Sequence, residues 1–219
     1  MSIIAQPLGI LLKFIFDIVG NYGLSIILFT VLVKLLLVPL TVKQTKSMKD
    51  LQTMQPKLEA IKAKYKNNQE LLNEKTLALY KEEKVSPYGG CLPLLIQLPI
   101  IIGLFTVLRN PEVYVFASEE IYRSISTNFL WLSNLVDPDP WILPLMAAGT
   151  TYLSTITASN SGNGQSQKFL KYMMPVVIFW SGRTFAAGLT LYWVVSNGFQ
   201  VIQQLILYRS KVKVQVEAS

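Results

Sequence analysis

A single charge inside an apolar run constrains this chain most. Residues 23–42 (GLSIILFTVLVKLLLVPLTV) carry one charged side chain, Lys34. The run is 20 residues long, close to the length that crosses a bilayer as a helix rising about 1.5 Å per residue. A lysine near the middle of such a helix costs about 2.5–3.5 kcal/mol on insertion scales. Snorkelling relieves only part of this, because Lys34 lies about 3 Å past the midpoint and its stem carries the ammonium only part of the way to the interface. The residue therefore points to a water-filled cavity or a partner within the membrane.

The rest of the chain agrees with a membrane setting. Hydrophobic residues make up 51% of it and the mean hydropathy is +0.39, values of an integral membrane protein. Four more apolar stretches follow, at 91–108, 141–156, 169–181 and 185–208. Residues 5–20 carry Lys13 and Asp17, with Ile10, Phe14, Ile15 and Ile18 at helical spacing. They read as an amphipathic helix lying at the interface. No basic region opens the chain and no small-residue cleavage site follows an apolar core, so a removable signal peptide is not expected.

Charge placement orients the spans. Residues 43–84 hold ten lysines and six acids, whereas 109–141 hold two arginines and five acids. The 158–171 loop has two lysines and no acid, and the tail has Arg209, Lys211 and Lys213 against Glu217. Lysine and arginine collect in cytoplasmic loops, so five spans with the N-terminus outside and the C-terminus in the cytoplasm are expected. The net charge of +7 is then mostly a topology signal. Lysines of the long loop alternate with acids at helical spacing, which argues against nucleic acid read directly.

The composition also excludes chemistry. The chain has no histidine and one cysteine, Cys91, and none of the five apolar runs contains Asp or Glu. Histidine-based catalysis, a histidine or multi-cysteine metal site and an internal disulfide are ruled out. A carboxylate proton relay within the membrane has no candidates. No phosphate-binding motif occurs, so no nucleotide, metal or other cofactor is expected.

The long loop reads as an exposed, mobile helical hairpin. Pro56 suits the first position of a helix, Leu58, Ile61 and Tyr65 form a thin stripe, and Asn67-Asn68 break it. A second helix over 69–83 offers Leu72, Thr76 and Leu79. The 86–90 segment (SPYGG) ends the hairpin and re-enters the membrane. The hairpin is either a solvated spacer or a docking element.

Four motifs then resemble the YidC/Oxa/Alb membrane-insertase family. They are residues 21–40 (NYGLSIILFTVLVKLLLVPL), 87–100 (PYGGCLPLLIQLPI), 173–176 (MMPV) and 188–197 (GLTLYWVVSN), the last followed by Gln203-Gln204. They occur in the family's order from about Tyr22 to Tyr208. The absence of a large external domain resembles the short bacterial form. The resemblance implies an all-α membrane protein, five transmembrane helices around a hydrophilic groove open to cytoplasm and lipid and closed on the outer side. The implied layout is an interfacial segment at 1–21, span 1 at 22–42, a cytoplasmic hairpin at 43–86 and span 2 at 87–108. An external loop at 109–140, span 3 at 141–157, a cytoplasmic loop at 158–168, span 4 at 169–182, span 5 at 185–208 and a tail at 209–219 complete it.

The implied activity is insertion and folding of client membrane proteins, alone or beside the Sec translocon, with no enzymatic step. A monomer in the plasma membrane is expected. The tail is short, so it offers little support for ribosome binding, which long basic tails carry out in some relatives. Lys34 stands where most members carry an arginine that attracts acidic client segments. Lysine keeps the charge and loses the planar fork. Thr30, one turn earlier, and Trp193 match client-contacting positions. The resemblance leaves Thr30 open between that role and a hydroxyl bonded one turn back, and Trp193 and its neighbour Tyr192 open between client contact and helix packing. Gln97, an amide in span 2, is either groove-facing or interhelical. Two departures accompany these matches: Arg183 and Ala186 replace an apolar aromatic-proline turn, and Ser154 lies where members often place glutamine. Arg183, between two apolar runs, is expected to face water or headgroups. Against a small-solute transporter or channel, no paired helix break suggests an inverted repeat. Against a membrane enzyme, no nucleophile–base set can be assembled. A scaffold would have no need of Lys34.

Overall fold

The protein, as a computed structural model, is described over residues 2–86, 92–116, 118, 120, 127–158 and 165–217. Among the described residues the elements are helices: α1 (Ser2–Val19), α2 (Tyr22–Lys64), α3 (Gln69–Glu82), α4 (Leu92–Arg109), the single turn α5 (Pro111–Tyr114), α6 (Ile142–Ala158), α7 (Gln165–Gly182) and α8 (Ala187–Glu217). The turn expected over 86–90 lies, Ser86 aside, outside the described residues, as do most of the 158–168 loop and the side chain of Gln97.

Local chemistry fixes the helix ends. Gly20 stops α1 at φ +70°, a conformation glycine adopts without steric cost, and its N–H reaches the Phe16 carbonyl at 2.8 Å. Asn21 then caps α2 by accepting the Leu24 N–H at 3.0 Å. Asn68 caps α3 in the same way through Leu71 at 3.0 Å. The cap of α6 comes from Asp139, whose carboxylate accepts the N–H groups of Trp141 at 2.8 Å and Ile142 at 3.0 Å, and the Trp131 indole N–H at 2.8 Å.

α2 differs from expectation. Pro56 does not open a helix; it sits inside one continuous helix of 43 residues that also contains Pro39. A proline in a helix interior loses a hydrogen bond and crowds the carbonyl four residues back. Two features offset this at Pro56: the site is exposed, so water reaches the freed carbonyl, and Met54 and Leu58 on either side of it are both buried with Leu79 of α3. The hairpin is therefore the distal half of α2 with α3 folded back, closed by an ion pair between Lys57 and Glu83. α8 likewise continues beyond Tyr208, to Glu217.

Packing gathers the helices about α2 and α8. α8 packs along α2 and α6, α7 packs on α6, and α1 packs on α2, α4 and α5. The main core joins Leu12 and Ile15 of α1, Tyr22, Ile26 and Phe29 of α2, and Tyr192 of α8. Glycines allow the tightest approaches. A Cβ on Gly9 would lie 2.4 Å from the Tyr114 carbonyl oxygen, and one on Gly103 would lie 2.8 Å from a methyl of Ile4. The 127–140 loop closes one end of the bundle: Ala187 and Gly188 donate their N–H groups to the carbonyls of Asp137 and Leu135 at 2.9 and 2.8 Å.

The outside of the bundle is apolar. Leu28, Leu32, Leu35 and Leu36 of α2, Leu145 and Leu153 of α6, Val176 and Val177 of α7 and Ile202 and Ile206 of α8 are exposed, as are Ile10, Phe14 and Ile18 of α1. Only α2, over Tyr22–Ser47 with a mean hydropathy of 2.4, is both long and apolar enough by itself to cross a bilayer among the described residues.

Candidate functional site

Polar residues gather where α8 packs against α2 and against α6. On α2, Thr30, Lys34, Thr41 and Gln44 recur at three- or four-residue spacing combined with Leu37, so they share one face. The direction of that face is fixed at its far end, where the Gln203 amide of α8 donates to the Thr41 hydroxyl at 2.7 Å. Lys34 lies between Thr30 and Thr41 on it, about 10 Å along the axis from Thr41. Lys34 is half-buried, and no carboxylate or other hydrogen-bond partner among the described residues meets its ammonium. Near the same end the Gln44 amide nitrogen is buried without an acceptor.

A second set of polar side chains forms a hydroxyl and amide seam between α6 and α8. The Thr151 hydroxyl accepts from the Trp193 indole at 3.2 Å and from the Asn197 amide at 2.8 Å, and donates to the Ala147 carbonyl at 2.7 Å. Two turns further, Thr157 bonds to Gln204. Ser154, between them on α6, is buried. Side-chain bonds thus tie α8 to α2 on one side and to α6 on the other.

The sequence-derived residues take distinct places. Lys34 lies on the polar face of α2. Thr30 shares that face but is fully buried, and its hydroxyl donates to the Ile26 carbonyl one turn back at 2.6 Å. Tyr192 is buried in the apolar core, while its neighbour Trp193 points to α6. Thr151, Asn197, Thr41 and Gln203 carry interhelical bonds; of these, Asn197 and Gln203 stand in or beside the fourth motif, while Thr41 and Thr151 had no assigned role. Their signal was available as polar residues recurring within the three apolar runs that hold them.

Arg183 stands elsewhere. It lies in the turn between α7 and α8, with its guanidinium over the Trp141 ring at 4.3 Å and the Trp180 ring at 5.5 Å. A cavity of about 80 Å³ lies between α6, α7 and α8, bordered by Ala147, Gly182, Leu189 and Trp193. It is too small for a peptide segment, since pockets for small ligands start near 300 Å³.

Exposed apolar faces on most helices, with hydroxyls, amides and the Lys34 ammonium placed between helices, are the pattern of a helical integral membrane protein. Residues 14–215 match the family described as 60Kd inner membrane protein. The chain is 41% identical over 209 residues to the membrane protein insertase YidC of Fusobacterium nucleatum, covering 95% of this chain and 96% of that one. It is 44% identical over 196 residues to that of Enterococcus faecalis, covering 86% of this chain and 67% of that one. Its fold superposes on a crystal structure of an active YidC insertase with a TM-score of 0.65 at 31% identity, covering 89% of this chain and 43% of that one. This chain belongs to the YidC family of membrane protein insertases.

Proposed function

We propose that this protein inserts client membrane proteins into the bilayer and assists their folding, using the polar face of α2 and the facing side chains of α8 and α6 as the client's path. Lys34 carries the proposal: a half-buried ammonium in an apolar helix, with no counter-charge among the described residues. A fold that tolerates about 2.5–3.5 kcal/mol of insertion cost without pairing the charge keeps it available to something that arrives. A client's acidic segment supplies the missing partner, with an attraction that strengthens as the local dielectric falls. Thr41, Gln44, Asn197 and the glutamines of α8 hydrate the path, shortening the apolar distance the segment has to cross. The client's hydrophobic span then partitions sideways into lipid, and its burial drives the step. Trp193 borders this path while tied to Thr151.

The same reading divides the chain into five spans, at 22–42, 87–108, 141–157, 169–182 and 185–208, with residues 1–21 at the interface. The hairpin, 43–86, and the tail, 209–219, face the cytoplasm, and 109–140 closes the outer side. Lysine asymmetry and the loop packed over the start of α8 support this orientation. The partners are client membrane proteins and the lipid bilayer, with the Sec translocon as an alternative route of delivery.

Photo-crosslinking during synthesis of a single-span client tests the path. A photoreactive residue replacing Leu37, on the Lys34 face, is expected to capture the client, and one replacing Leu36, on the exposed face, is expected to capture lipid. Equal capture of client from both positions would remove the path from the account.

A further inference from the structure

The closed end of the bundle carries a second cation that the client path does not use. Arg183 lies at the turn between α7 and α8, with its guanidinium 4.3 Å from the Trp141 ring and 5.5 Å from the Trp180 ring. Phe179 supports both indoles, 6.2 Å from Trp141 and 6.3 Å from Trp180. The indoles lie against the cation, and among the described residues no hydrogen bond or ion pair involves Arg183. Nearby carboxylates are already engaged. Asp139 is bound by four N–H donors, and Asp137 accepts the Asn134 amide at 3.0 Å.

A guanidinium held by aromatic rings, with no partner for its N–H groups among the described residues, is a fork for a phosphate or carboxylate. The surroundings select between anions. Trp141 and Trp180 are 58% and 63% exposed, and indoles in membrane proteins settle at headgroup depth. From Trp180, an exposed ridge of Val177, Val176 and Met173 descends α7 at helical spacing, a track for an acyl chain that a soluble anion would not use. A headgroup without its own cation brings nothing to compete with the guanidinium for the phosphodiester, so an anionic headgroup fits best.

We propose that Arg183, held by Trp141 and Trp180, binds the phosphodiester of an anionic phospholipid in the leaflet opposite the hairpin, with one acyl chain along Trp180, Val177 and Met173. This rests on the reading that the chain spans a bilayer with α6 and α7 reaching the headgroups at this end. The bound lipid pins that end at a fixed depth while the client path works from the other.

Native mass spectrometry of the full chain, purified from vesicles of phosphatidylcholine with a minor fraction of phosphatidylglycerol, reads the site through retained lipid. Arg183→Gln is expected to weaken phosphatidylglycerol retention about fivefold, the worth of one cation near a surface. Arg183→Lys is expected to fall between, and Trp180→Leu to weaken retention although the charge stays. Inorganic phosphate is expected not to displace the lipid, whereas short-chain phosphatidylglycerol is. Unchanged retention in Arg183→Gln, with its thermal unfolding unchanged, overturns the proposal, as does displacement by inorganic phosphate. Alkaline extraction separates the two layers: release of the unaltered protein from membranes overturns the bilayer reading itself, whereas resistance to extraction with equal lipid retention overturns only the Arg183 site.

Discussion

Replacing Thr151 by valine keeps the side-chain volume and deletes one hydroxyl. That hydroxyl accepts from Asn197 at 2.8 Å and from Trp193 at 3.2 Å. Interhelical hydrogen bonds in a membrane protein average about 0.6 kcal/mol and reach about 1.7. Two of them therefore give about 1.2 kcal/mol, with about 3.4 as the upper bound. A soluble-protein scale, at about 1–3 kcal/mol for each buried donor left unpaired, gives about 2–6. The lower range is expected, since the polar path gives the freed donors access to water. The 3.2 Å indole bond is also long for its kind. The assay is unfolding of the full chain in mixed micelles by sodium dodecyl sulfate, as a cycle with Asn197→Leu. The coupling between positions 151 and 197 is expected near 0.6–1.7 kcal/mol. A coupling indistinguishable from zero would refute the seam as a tie between α6 and α8.

Four further outcomes follow from particular residues. Gly9→Ala should destabilise the fold by about 1–3 kcal/mol in the same unfolding assay, because the new methyl meets the Tyr114 backbone at 2.4 Å; no loss would mean α1 and α5 do not approach as described. Burial pushes the Asp139 carboxyl up, but hydrogen bonds from Trp131, Trp141, Leu143 and Ile142 outweigh it and hold it below the ordinary carboxylate range. Its contribution is therefore complete above the unfolded-state value and fades as pH falls through the lower folded one; acid titration of stability should show this, and Asp139→Asn should remove that part of the pH dependence. In a cysteine-free background, Val113→Cys should react with an impermeant thiol reagent from outside and Asn67→Cys should not, and the reverse would invert the topology. Deleting the distal part of α2 together with α3 should leave the remaining bundle folded while impairing insertion, since the small core of Met54, Leu58 and Leu79 is separate from the main one; loss of the folded protein by circular dichroism would show otherwise.

How far the sequence could be read follows from physical scale. Lys34 was legible because one charge in an apolar run has a large cost, and that cost does not depend on tertiary detail. The all-helical build was legible from the apolar runs and from helical spacing in the charged segments, although among the described residues only α2 is long and apolar enough by itself to cross a bilayer. The hairpin's composition was legible, but its start was not. Pro56 carries a local preference for a helix start, and the burial of Met54 and Leu58 against Leu79 overrides it. Thr30 was readable only as two alternatives, because a threonine bonded to its own helix and one facing a cavity share the same sequence signal. In the structure it is buried and bonded to Ile26. The Thr151 seam depends on the rotation of α6 against α8, which single-helix periodicity does not set. Arg183 was legible as a charge between two apolar runs, but its two indole neighbours come from residues 42 and 3 positions away and meet only in the fold.

The central claim is that the unpaired positive charge of Lys34 draws acidic client segments into the polar path. Insertion yield by the purified, reconstituted protein measures this for single-span clients that differ only in the charge of the translocated segment. Lys34→Arg should preserve the yield for every client. Lys34→Ala should lower it for the acidic client and leave the neutral one nearly unchanged, and Lys34→Glu should lower the acidic client further, because attraction becomes repulsion. Equal yields for acidic and neutral clients across lysine, alanine and glutamate at position 34 would contradict the account and leave hydration of the path, without its charge, as the working element.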